Sequence, residues 1–184
     1  MKRWSLVARC LTLLFLSDAH GAENVVHCAL GQGRTHSIEL FRTHPIADTA
    51  VYYLAKDGGA ETLLYRGEKE QSRGGDVRYE CSGARERVLV VSGEFTSDYL
   101  QGVAIRYNSA SAEWERIDFA ERARPARIDL LRTGMLVVIP NLGHETGKKY
   151  LIYRYIAGKG QEPKAQASDT LPEPDGAEVV LLKK

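Results

Sequence analysis

Short apolar runs, most of them alternating with polar residues, recur along almost the whole chain and are cut at short intervals by turn-forming positions. The alternation predicts strands at residues 24–30, 35–42, 50–56, 62–66, 77–81, 87–92, 103–107, 114–119, 127–131, 135–139 and 150–156. Val, Ile, Tyr, Thr and Trp supply these runs, and such side chains fit a pleated, half-buried surface. Gly31-Gln32-Gly33-Arg34, Asp57-Gly58-Gly59 and Asn108-Ser109-Ala110-Ser111 join neighbouring runs over only a few residues, as hairpin turns do. A helical period is weakly present in 119–131, but Pro125 interrupts it. The expected fold class is all-β, an antiparallel meander of about 11–12 strands.

Two segments depart from this pattern. Residues 1–22 begin with Lys2, Arg3 and Arg9 around the start of a short apolar run, CLTLLFL, and continue into the small residues of SDAHGA. This is the layout of a secretory signal peptide, with cleavage expected between 19 and 22, and the run is too short to span a bilayer as a helix. Cys10 stands at the start of the run, where a lipid-anchor cysteine would follow it, and Cys28 follows the bulky His27, so neither suits a lipid anchor. At the other end, 158–177 is polar, contains three prolines and has no apolar period, which predicts a flexible tail. EVVLL at 178–182 then recovers strand character within a possible terminal strand, 178–184. It either returns to a sheet edge of its own chain or adds to another chain. A single β-domain is expected over 23–157.

Without residues 1–22 the chain loses three of its 25 basic and one of its 24 acidic residues, leaving near balance. A balanced surface has no strong field for phosphate backbones or anionic lipid, so neither nucleic acid nor a membrane span is expected. Two cysteines remain, Cys28 and Cys81. In an exported chain an even count predicts a disulfide, which stabilises by roughly 4 kcal/mol in the chain-entropy picture. The expected location is periplasmic or secreted.

Three windows of equal length, starting at Ser37, Val88 and Leu136, share one frame: a strand, a polar loop, a second strand and a turn. Arg106-Tyr107 falls on Arg154-Tyr155 in this alignment. The starts lie at a period where sheet repeats occur. The middle window, VLVVSG followed by a loop and VAIRYNSASAEWERI, resembles a kelch blade, although Ser92-Gly93 stands where that family has Gly-Gly. The resemblance implies blade-like units. Three are fewer than the four or more of a closed propeller, leaving a partial-propeller stack or a two-sheet sandwich.

Candidate chemistry is sparse. No GxSxG elbow is present, and His144-Glu145 fails as HExxH because Lys148 occupies the second histidine position. His27, His36 and His44 are expected at strand ends, and no metal or other cofactor is expected. Gly31-Gln32-Gly33 joins two strands, so it lacks the helix of a phosphate site. Glu113 and Glu115 share one strand face with Trp114 on the other, which predicts a solvated acidic face. Arg122, Arg124, Arg127 and Arg132, interleaved with acids, predict an exposed mixed-charge segment.

The shared frame places the loops 41–49, 93–101 and 141–149 at equivalent points. They carry the candidate binding residues His44, Phe95, Asp98, Tyr99, His144 and Glu145, and loops on a rigid β scaffold are where binding groups gather. The expectation is an exported, non-enzymatic protein-binding domain, concretely an inhibitor or immunity-type protein acting on an envelope enzyme. An envelope assembly component using strand addition and a hydrolase with a dispersed site are the alternatives.

Overall fold

The computed structural model describes residues 21–95, 99–143, 146–173 and 176–183. Three successive antiparallel meanders make up the chain. The first contains β1 (Glu23–Leu30), β2 (His36–Arg42), β3 (Ala50–Lys56) and the short β4 (Thr62–Leu63). The second contains β5 (Arg73–Ser82), β6 (Val88–Glu94), β7 (Leu100–Asn108) and β8 (Glu113–Glu121). The third contains β9 (Arg127–Leu131), β10 (Gly134–Pro140) and β11 (Tyr150–Ile156). It is extended beside β11 by β12 (Gly160–Gln161) and β13 (Gln166–Ser168), and beside β9 by β14 (Glu178–Leu181).

Ala50 and Val51 pair with Gly74 and Arg73, which merges the first two meanders into one eight-stranded sheet. The third meander is a separate six-stranded sheet, and neither sheet closes into a barrel. The fold is therefore all-β with the antiparallel pairing that the alternation predicts.

Burial of side chains shows how the meanders stack. Leu89, Val91, Val103 and Ile105 of the second meander join Ile38, Leu40, Tyr52 and Leu54 of the first in one core. Val88, Val90, Ala104, Ile117 and Phe119 turn the other way, onto Ile128, Leu130, Met135, Val137 and Ile139 of the third. Successive side chains of a strand point to opposite faces. A strand buried on both faces reads as an unbroken apolar run, which explains VLVV in β6. Two close approaches hold this stack. A Cβ on Gly102 would lie 2.3 Å from the ring of its cross-strand partner Phe119, and one on Gly74 would lie 2.6 Å from the Phe95 ring.

Cys28 of β1 and Cys81 of β5 form a disulfide, with Cα atoms 5.6 Å apart. The bond ties the first meander to the second.

The C-terminal region differs from its expectation as a flexible tail. Within 158–177, β12 and β13 pair along the open edge of β11. Edge pairing needs backbone groups and little apolar surface, so a polar composition does not reveal it. The chain then crosses to the opposite edge of the sheet, where β14 pairs antiparallel with β9. Arg127 grips the buried Asp129 with two bonds at 2.6 and 2.9 Å and also donates to the Pro172 carbonyl. The expected signal peptide lies almost wholly outside the described residues. Among the described residues no helix is long and apolar enough to cross a membrane.

Candidate binding face

The hairpins β2–β3, β6–β7 and β10–β11 are the second and third strands of their meanders, so the three predicted loops occupy matching places. Contacts join them at one end of the stack. Gly75, beside the first loop at Asp48 and Thr49, pairs with Glu94 at the start of the second. Tyr99 of the second loop and Asn141, Leu142 and Thr146 of the third line one cavity of about 360 Å3.

The first and third loops are held by hydrogen bonds of their own. Ile46 and Thr49 exchange hydrogen bonds of 2.8 and 3.0 Å across Ala47 and Asp48, both at positive φ, the pattern of a type I′ turn. Thr43 Oγ1 accepts the Val51 N–H at 3.1 Å and ties the loop to β3. In the third loop the Asn141 side-chain amide donates to the carbonyls of Thr146 and Lys148 at 2.9 and 2.8 Å. The three loops present one large apolar residue apiece to solvent: Ile46 at 67 % exposure, Tyr99 at 38 % and Leu142 at 60 %. The guanidinium of Arg122 lies over the Tyr99 ring at 5.6 Å.

The candidate residues divide accordingly. His44 and Tyr99 are exposed on this face. Asp98, His144 and Glu145 lie outside the described residues. Phe95 is corrected: it is buried, edge-on to Tyr52 and Tyr65, and fills the space left by the missing side chain of Gly74. An aromatic at a strand end has two destinations, and the glycine opposite it decides for the core. Ile46 and Leu142 fall outside the sequence expectation, which rests on aromatic, imidazole and acidic groups and not on aliphatic ones. A lone aliphatic residue in a polar loop was the available signal.

The acidic face expected on β8 is also corrected. Glu115 is fully buried between the second and third meanders, where its carboxylate accepts from Arg106 Nε at 2.6 Å and Asn108 Nδ2 at 2.7 Å. Arg106 also donates to the carbonyls of Leu131 and Gly134, and Asn108 to that of Arg132. A buried ion pair survives when hydrogen bonds complete it, and this one is completed by the β9–β10 turn. Nearby, Glu178 of β14 accepts the successive backbone N–H groups of Ala84, Arg85 and Glu86, a small anion-binding nest. Burial opposes ionisation of Glu178, but those three N–H groups and then Arg85 hold its carboxyl below the usual range.

The basic stretch is likewise structural. Arg124 reaches the Ser92 carbonyl and the Asp76 carboxylate, each at 2.6 Å, while Arg127 secures Asp129. His27 hydrogen-bonds Glu39 and His36 hydrogen-bonds Asp57, both at 3.0 Å. Among the described residues no group of three or more His, Cys, Asp or Glu side chains converges. What stands out chemically at the loop end is exposed apolar surface, on hydrogen-bonded turns in the first and third loops. Comparison with protein-family models, curated proteins and solved structures gives no match for this chain.

Proposed function

We propose that this chain is an exported, non-catalytic domain that binds another protein through the loop end of its stacked meanders. One observation carries the reading: three loops, brought to one end by the stack, each expose a large apolar side chain. Exposed apolar residues on rigid loops desolvate readily against a partner and lose little entropy in doing so. Tyr99, poised against Arg122, is the kind of side chain that anchors interfaces. The concrete form of the proposal is an inhibitor that seats these loops in the cleft of an envelope enzyme. Export is supported by the N-terminal sequence pattern and agrees with the Cys28–Cys81 disulfide. Donation of the terminal strand to a partner is the weaker reading, because β14 already pairs with β9.

The test is capture from an envelope extract by the immobilised full chain and by its Ile46→Ser/Leu142→Ser variant. The variant should lose the captured protein while its unfolding free energy changes by no more than about 0.5 kcal/mol, as for other exposed sites. A Leu171→Ser control, at an exposed apolar residue between β13 and β14, should retain capture. Equal capture by all three proteins would refute the loop-end reading.

A further inference from the structure

β8 ends the strand path of the eight-stranded sheet, and on its outer side it pairs with no strand among the described residues. That edge lies in a groove of about 1070 Å3. Tyr65 and Arg66 of the first meander form one wall, and Tyr153, Gly160 and Pro163 of the third form the other. Halfway along, the Asp118 N–H donates to Gln161 Oε1 at 2.9 Å and its carbonyl accepts from Gln161 Nε2 at 2.7 Å. A single side-chain amide thus occupies both positions that a neighbouring strand would use.

The walls differ in charge. Trp114, Arg116 and Asp118 share the face of β8 turned to the first meander. Arg116 clasps Asp118 with bonds of 2.5 to 3.0 Å and donates to the Leu64 carbonyl, so the Asp118 carboxylate is neutralised. Lys56 Nζ lies 4.7 Å from the centre of the Trp114 ring, and neither Lys56 nor Arg66 makes a salt bridge among the described residues. Partial burial, then the nearness of Arg116 and Arg66, push the Lys56 ammonium below its ordinary value. Arg66 and the Asp118-paired Arg116 line one wall, with Lys56 near both, while the other wall offers Tyr153 and Pro163.

We propose that the β8 edge binds an extended segment of a partner protein in which acidic and apolar residues alternate, taken up as an added strand. Alternate side chains of such a strand point to opposite walls. Its carboxylates would meet Arg66, with Lys56 adding to the positive field, its apolar side chains would meet Tyr153 and Pro163, and its backbone would replace Gln161 on Asp118. Ala120 and Tyr153 line both this groove and the loop-end cavity, so one partner can span the two. The proposal rests on the groove's own residues and holds or fails apart from the loop tips.

The test uses the full chain and fluorescein-labelled peptides as long as β8, one alternating glutamate with valine and one lysine with valine, read by fluorescence anisotropy. The glutamate peptide should bind and the lysine peptide should not. Arg66→Glu, at an exposed position, should weaken binding about tenfold without moving the thermal midpoint. Gln161→Ala removes the competing amide and should tighten binding severalfold. Equal affinity for both peptides, or full binding by the Arg66→Glu variant, would overturn the proposal. So would binding of hyaluronate oligosaccharides that depends on Arg66 and is indifferent to Gln161→Ala, because that result shows charge attraction without strand addition.

Discussion

The two interfaces of the stack are built differently. Between the first and second meanders the contact is apolar, with Phe95 set over Gly74 and the Cys28–Cys81 bond across it. Between the second and third, an apolar core is joined by the buried Arg106–Glu115–Asn108 network and by the Glu178 carboxylate seated on three backbone N–H groups. The first is thus fastened covalently and answers to redox conditions. The second is fastened by a buried ion pair and by Glu178, whose carboxyl is held below its ordinary value. The difference arises from what each side offers: β1 and β5 approach closely enough for a disulfide, whereas the β9–β10 turn presents bare carbonyls that require a buried donor.

The largest expected effect is on the second interface. Glu115→Ala leaves the Arg106 guanidinium buried without its counter-charge and should cost about 3–5 kcal/mol, measured by urea unfolding. An Arg106→Met/Glu115→Leu double variant should recover part of that loss, less the cost of the Leu131 and Gly134 carbonyls left without a donor. If it is no more stable than Glu115→Ala, the penalty belongs to packing, and the contrast between the interfaces fails. Next, removing the disulfide with Cys28→Ser/Cys81→Ser should cost about 2–4 kcal/mol. The same variant should leave the acid dependence of stability unchanged, since it removes no titrating carboxyl; a changed profile would show the two interfaces to be coupled.

The smallest effect is the most diagnostic. The folded Glu178 carboxyl titrates below its ordinary value of 4.5. Its contribution is therefore complete above the unfolded value and is lost as the pH falls through the lower, folded value. Glu178→Gln should reduce stability at neutral pH by about 1.5–3 kcal/mol, the worth of hydrogen bonds to a charged group, and should flatten the acid limb. An unchanged acid limb would place the pH response elsewhere.

Strand after strand was legible because alternation and turn residues are local signals. The runs 50–56, 127–131 and 150–156 match β3, β9 and β11 residue for residue, and other ends shift by a few positions. Pairing could also be anticipated where hairpin turns were short. Polar edge strands such as β12 and β13 escaped, because they are recruited by the open edge of β11 and carry no pattern of their own. Phe95, Glu115 and Arg127 were misplaced for a related reason: the pleat determines which face a residue takes, but not what covers that face. Ile46 and Leu142 were visible as apolar residues in polar loops, while the groove beside β8 was not. Its walls come from three meanders and meet only after stacking.

The sequence by itself determined the strands β1 to β11, the order of the hairpins, the cysteine pair and the placement of three matching loops. These follow from periodicity, turn chemistry and counting, all of which act over short distances along the chain. The tertiary structure decided which carboxylate is buried, where the C-terminal strand goes and which loop residues remain outside. Those outcomes depend on the surface that arrives opposite each residue, and the chain supplies that surface from positions far away in sequence.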